Sequence, residues 1–109
     1  MSNRTHISHL ESEFSEFKNK LLVMASLAES IMATAVRSVI ERDTSLANDA
    51  EAADSIIDRL EMEMDDLGIK LLSQAPLARD LRMITSGMKI AKDLERVGDE
   101  STTIARQAR

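Results

Sequence analysis

The stretch LARDLRMITSGMKIAKDLERVGD, from Leu77 to Asp99, places Leu77, Leu81, Ile84, Met88 and Ala91 in alternating steps of four and three residues. That rhythm keeps side chains on one face of a long helix that packs against near-parallel neighbours. The next two positions in the same rhythm are Glu95 and Gly98. An unpaired buried carboxylate is strongly disfavoured, and glycine inside a helix costs ~1 kcal/mol relative to alanine. A packing seam that carries both implies a local compensation, and a cation is the candidate. A second apolar row, Ile90, Leu94, Val97 and Ile104, flanks this seam.

Working outward, two more stretches show the same period. Ile7, Leu10, Phe14, Phe17, Leu21, Met24, Ala28, Ile31 and Ala35 form one seam, which Leu27, Met32, Val36, Val39 and Ile40 widen towards its end. Ser8-His9-Leu10-Glu11 before them fits a capping box, so helix 1 is expected over about 8–41. Leu46, Ala50, Ala53, Ile57, Leu60, Met64, Leu67 and Leu71 form another seam, and helix 2 is expected over about 44–73. Asp43 suits its N-cap. Pro76 suits the first position of helix 3, where its missing N–H matters least, and that helix is expected over 76–109. Three long helices with short turns predict an all-α fold, an antiparallel three-helix bundle, as one domain over 1–109.

Composition narrows the function classes. The 109 residues include three Gly and one Pro, too few for an all-β domain rich in hairpins. There is no cysteine, hence no disulfide framework and no thiolate metal site. The net charge of −5 argues against nonspecific nucleic-acid binding, which depends on neutralising phosphates. The N-terminal lead lacks the apolar core of a signal peptide, and no stretch is expected to reach the ~20 apolar residues of a membrane span. Both histidines, His6 and His9, sit in that lead, which argues against a Ser/His/Asp triad and against enzymatic function of that kind.

Acids remain. If helices 2 and 3 fold back about residue 75, Glu95 faces position 55 and Asp99 faces position 51. Glu51, Asp54 and Asp58 lie there, three and four residues apart on one stripe. Two carboxylate pairs, Asp54/Asp58 and Glu95/Asp99, are therefore expected at a similar level of the bundle. Such groups raise one another's pKa unless a cation intervenes. An all-oxygen set favours hard cations. Gly98 and Ala91 leave room beside it. The simpler alternative is a solvated acidic face on a helical adaptor without metal. A ferritin-like di-metal centre needs Glu-x-x-His pairs, which the chain lacks. Arg79, Asp80 and Arg82 open helix 3: Asp80 suits its N-terminal turns and the arginines can bridge to helix 2, and the alternative is a partner-docking face.

Three segments carry a family resemblance: Arg42-Asp43-Thr44-Ser45-Leu46-Ala47, Pro76-Leu77-Ala78-Arg79-Asp80-Leu81-Arg82, and Asp93-Leu94-Glu95-Arg96-Val97-Gly98-Asp99. With them the chain resembles the PhoU family of phosphate-signalling proteins from about residue 10 onward. The resemblance implies a tandem-repeat architecture of which this chain carries one three-helix repeat. It therefore also implies either a second half elsewhere or a homo-oligomer in which two chains pair. The family's acid-x-x-x-Asp signature matches Asp54–Asp58 and Glu95–Asp99. It implies bound metal ions, with iron, zinc, manganese or magnesium as candidates. Glu100 follows Asp99, where the family often has His or an apolar residue. The implied function is a cytoplasmic, non-enzymatic negative regulator of phosphate uptake and of phosphate-starvation signalling. Its implied partners are a phosphate ABC transporter ATPase and a sensor histidine kinase, which bring it to the membrane periphery. PhoU-like domains also occur on sodium–phosphate cotransporters; Met1 and the polar lead favour the free regulator.

Overall fold

The first reversal of the chain is set by hydrogen bonds at the end of the first helix. Asp43 N–H donates to the Ser38 carbonyl at 2.9 Å and Arg42 N–H to the Val39 carbonyl at 3.3 Å. This pair of bonds is a Schellman motif, which needs a left-handed residue at its centre. Arg42 takes that role with φ 52°. Asp43 is extended and its carboxylate accepts from Leu46 N–H at 3.2 Å, capping the second helix as its residue type predicts. A left-handed non-glycine residue costs ~1–2 kcal/mol, partly offset because glycine gains entropy in the unfolded chain. Arg42→Gly is therefore expected to stabilise the protein by about 0.5–1 kcal/mol, read as a rise in the urea midpoint.

A computed structural model describes the backbone of residues 2–74 and 77–109 and the side chains of residues 9–74 and 77–109. Three helices follow one another: α1 (Ser2–Glu41), α2 (Thr44–Leu72) and α3 (Ala78–Ala105), ended by a 3-10 turn at Arg106–Ala108. Each helix packs on both others, in an elongated body of 60 × 22 × 16 Å. The fold is the all-α three-helix bundle that the heptads predict. α1 begins six residues earlier than expected, so Ser8 lies inside the helix and is not its cap. α3 begins at Ala78 behind the extended Leu77 and gives way to the 3-10 turn at Arg106. The expected role of Pro76 lies outside the described residues.

The α1 seam is as expected along Phe17, Met24, Ala28, Ile31 and Ala35, which are buried with Leu10, Phe14 and Leu21 packed against them. Of the residues expected to widen it, only Leu27, Met32 and Val39 are half-buried, while Val36 and Ile40 are exposed. The Ile7 side chain lies outside the described residues. The other two seams are rotated. On α2 the buried row is Ala47, Ala50, Asp54, Ile57, Met64, Gly68 and Leu71, while Leu46, Ala53, Leu60 and Leu67 are half-buried on its flank. On α3 it is Ile84, Gly87, Ala91, Gly98, Ser101, Thr102 and Ala105; Met88 and Glu95 flank it, and Leu77 and Leu81 are exposed. A helix wedged between two neighbours buries a broad arc, and the middle of that arc comes closest to the partners. Small residues share that middle with Ile57, Met64, Leu71 and Ile84, and the flanking side chains lean in from its edges. A Cβ at Gly87 would lie 2.5 Å from Phe17 Cε1, and one at Gly68 would lie 2.6 Å from Met88 Sδ.

The rotation corrects the opening expectation. The α3 seam passes through Leu94 and Gly98, and Glu95 sits beside it. The acid on a seam is Asp54, on α2. A further difference concerns α1. By length and composition, His9–Glu41 is apolar enough to cross a membrane, and only 28% of its most apolar 18-residue window is buried in the bundle.

Candidate metal centre

Asp54 is held on the α2 seam by the flanking burial of Ala50 and Ile57. It is 9% exposed, and its Oδ1 is buried without a hydrogen-bond partner. Space for it comes from α3. A Cβ at Gly98 would collide with Asp54 Oδ1, with Asp54 Cγ at 3.5 Å and Ile57 Cδ1 at 3.6 Å. Gly98 thus admits a carboxylate into the helix interface. The deficit it imposes on α3 is local to this contact.

One carboxylate oxygen each from Asp54, Asp58 and Asp99 lies within 4.8 Å of the others. Asp58 and Asp99 are exposed, so the cluster opens to solvent at one side and is closed by Asp54 at the other. Asp58 is one helical turn from Asp54, and Asp99 follows Gly98. The observed register between α2 and α3 is thus about one turn beyond the hairpin count, which set Asp99 opposite position 51. Glu51 is otherwise engaged. Arg109 donates to its two oxygens at 2.9 and 3.0 Å, and Arg106 Nε stands 4.0 Å away.

Glu95, the fourth expected ligand, is not within the three-oxygen set. It neighbours that set, in hydrogen-bonding reach of both Asp99 and Asp58. Glu61, further along the same stripe, is half-buried on the α2 seam and close enough to act on Glu95. The signal for Asp54 was present in the sequence. The row Ala47, Ala50, Asp54, Ile57, Glu61, Met64, Gly68, Leu71 also steps by three and four, once alanine and glycine count as seam residues.

Electrostatics follow from this crowding. Burial, then the charges of Asp58 and Asp99, push the Asp54 carboxyl up to about 6; Arg106 acts in the opposite sense. Burial, hydrogen bonding to Asp99 and the charges of Asp99, Asp58 and Glu61 push Glu95 up to about 7. Asp58 is raised as well, by burial and by Asp99, with the bond from Glu95 opposing. Carboxyls with raised affinity hold protons in the folded chain at pH values where unfolded carboxyls, near pKa 4, have released them. Stability of the cation-free protein is thus expected, on this account, to be greatest below about pH 4 and to fall as pH rises to about 7, levelling above. Melting curves in chelator between pH 4.5 and 8 check the sign.

The donor set suits a hard cation: three carboxylate oxygens from two helices, one of them buried and unpartnered. A cation there supplies the missing partner of Asp54 Oδ1 and removes the mutual repulsion of the three acids. The expected docking residues lie elsewhere. Arg79 and Asp80 line an open groove of about 520 Å³ between α1 and α3, with Leu10, Phe14, Lys18 and Met83 among its walls. Arg82 is exposed nearby on α3 and is not part of the groove. Asp80 and Asp99 are 19 residues apart on one helix, ~28 Å at 1.5 Å per residue.

Comparison with known proteins is consistent in direction. Residues 21–108 match the family model described as the PhoU domain. A protein of Pseudomonas putida is 40% identical over 105 residues, covering 94% of this chain and 41% of the relative. One of Pseudomonas aeruginosa is 36% identical, covering 94% and 43%. One of Aquifex aeolicus is 35% identical over 100 residues, covering 91% and 45%. Each of these relatives is a "phosphate-specific transport system accessory protein PhoU homolog". The chain thus spans less than half the length of these curated relatives. No solved structure matches the chain.

Proposed function

Because the chain belongs to the PhoU family, we propose that it is one three-helix repeat of a cytoplasmic regulator that restrains phosphate uptake and phosphate-starvation signalling. In this reading the protein catalyses nothing. It binds, through its helix faces, the ATPase of a phosphate ABC transporter and a phosphate-sensing histidine kinase. Two repeats act together, the second supplied by a further half elsewhere or by a second copy of this chain. The observation that carries the metal-dependent part is Asp54 Oδ1, buried and unpartnered within 4.8 Å of oxygens from Asp58 and Asp99.

Asp54, Asp58 and Asp99 hold the cation, and Glu95 with Glu61 adds negative charge at its edge. A bound iron, zinc, manganese or magnesium ion supplies positive charge that converts a repelling cluster into a cross-link. Asp54 and Ile57 on α2 then stay pressed against Gly98, and the α2–α3 face presented to a partner keeps one shape. Arg79, Asp80 and Arg82 form the second contact region, ~28 Å away along α3. Its groove is left unchanged by the cation.

Calorimetric titration with Mn²⁺, Mg²⁺ and Fe³⁺ on the parent and on Asp58→Ala/Asp99→Ala tests the site. Binding by the parent alone is expected; equal binding by both proteins removes the centre and leaves a metal-free helical adaptor. Gly98→Ala is a milder probe. The added methyl collides only with the end of the Asp54 side chain and meets Ile57 Cδ1 at an ordinary contact distance of 3.6 Å, and alanine favours helix by ~1 kcal/mol. Its stability is expected to stay within about 1 kcal/mol of the parent while its cation affinity falls at least about tenfold.

A further inference from the structure

Opposite its core seam, α1 carries a second complete heptad row that nothing in the bundle covers. Leu22, Ser26, Glu29, Ala33, Val36 and Ile40 step by four and three, and all six are exposed. Leu22 is 68%, Val36 40% and Ile40 76% exposed. A heptad row is the pattern of a helix that packs on another helix along its length. The most apolar 18-residue window of α1 is 28% buried in the bundle, with Leu21, Leu27 and Met32 half-buried on its flanks.

We infer that this row is a self-association seam, in which α1 of one chain packs antiparallel on α1 of a second copy. The row is self-complementary in that arrangement. Leu22 of one copy meets Ile40 of the other, Ser26 meets Val36, and Glu29 meets Ala33. Bulky residues close the two ends. At the centre, Ala33 leaves room for the Glu29 side chain of the opposite copy, and Ser26 leaves room for Val36. The two charges also match. Arg37 borders the row, one turn beyond Ala33, so it lies one turn from the Glu29 of the opposite copy. Helical side chains tilt toward their own N-terminus. In an antiparallel pair, Glu29 and the opposite Arg37 therefore lean toward each other, and the seam carries no net charge. Arg37 now bonds Glu41 at 3.0 Å on an exposed surface; such a pair is worth little and is readily exchanged. A lipid surface fits less well, because Glu29 lies in the middle of the row and the opposite side of α1 is already committed to the core.

This rests on the pairing of chains proposed above, and the experiment separates the two. Sedimentation velocity on the full 109-residue chain is expected to give twice the 12.1 kDa mass. Ala33→Arg and Ile40→Glu are expected to sediment at 12.1 kDa with unchanged helical circular dichroism, since both positions face away from the core. Glu29→Arg and Arg37→Glu are each expected to raise the dimer Kd about tenfold, and the double swap to restore most of it, which a foreign partner on this face would not do. A dimer insensitive to all four substitutions overturns the seam and leaves chain pairing intact. A parent that stays monomeric overturns both. So does a monomer that binds phosphatidylglycerol vesicles and loses that binding in Ile40→Glu.

Discussion

Asp54→Asn is expected to melt above the parent protein in chelator at pH 8 and, unlike the parent, to gain nothing from added Mn²⁺. The two halves of this result have one cause. In the cation-free chain, Asp54 is nine-tenths buried beside two other carboxylates, and its carboxyl is pushed up to about 6. Above that pH the buried charge works against folding. Ionising a carboxyl held at about 6 instead of near 4 costs about 2.7 kcal/mol, and the open side of the cluster screens part of it. Asparagine keeps the shape that Gly98 accommodates and removes the charge, for a gain of about 1–2 kcal/mol. It also removes the ligand that closes the cluster, so the cation no longer has a preferred state to bind. Differential scanning fluorimetry of both proteins, with and without Mn²⁺, reads both effects. A destabilised Asp54→Asn in chelator would mean that the acid contributes to folding by itself.

Phe17→Ala is expected to cost about 3–5 kcal/mol, read from urea unfolding. Domains of this kind have ~5–15 kcal/mol in total, so the variant is expected to be marginal. Phe17 is 1% exposed and its ring fills the space left by Gly87 on α3. The same contact predicts a contrast between two glycines. An alanine at Gly98 displaces the end of an acidic side chain at an open cluster. An alanine at Gly87 meets Cε1 and Cζ of a buried ring at 2.5 and 2.8 Å, where nothing can yield without moving a helix. Gly87→Ala is expected to lose stability with cation binding intact, the reverse of Gly98→Ala. Phe17→Leu combined with Gly87→Ala is expected to be less damaging than the separate effects added together, because the two residues share one space.

The bundle was legible in the sequence because helical period and turn chemistry are local properties. Three heptad rows, the Asp43 cap and the break near residue 75 require only spacing and residue type, and the α1 core row is the one the spacing predicts. Two of the sites of interest were also legible as groups: the acids of α2 and α3 at i and i+4, and the glycine beside Asp99. Membership of the PhoU family could be anticipated from the three quoted segments.

What only the tertiary structure decided is which face of α2 and α3 is central, and at what level the two helices meet. Spacing alone favours large apolar residues for a seam, so Ala53 and Leu60 were placed inside and Glu95 was taken as the buried acid. Close packing of three helices favours the smallest residues where the axes converge. Gly68, Gly87 and Gly98 take the points of close approach between buried Ile57, Met64, Leu71 and Ile84, and Asp54 enters the interface at Gly98. Heptad repeats look alike after a shift of one turn, so the hairpin count set Asp99 opposite Glu51. Side-chain fit breaks that degeneracy: Asp54 at Gly98, Met88 at Gly68, and Arg109 on Glu51. The sequence by itself determined that acids from two helices would face each other. Packing of glycine against carboxylate determined that Asp54 is the buried one.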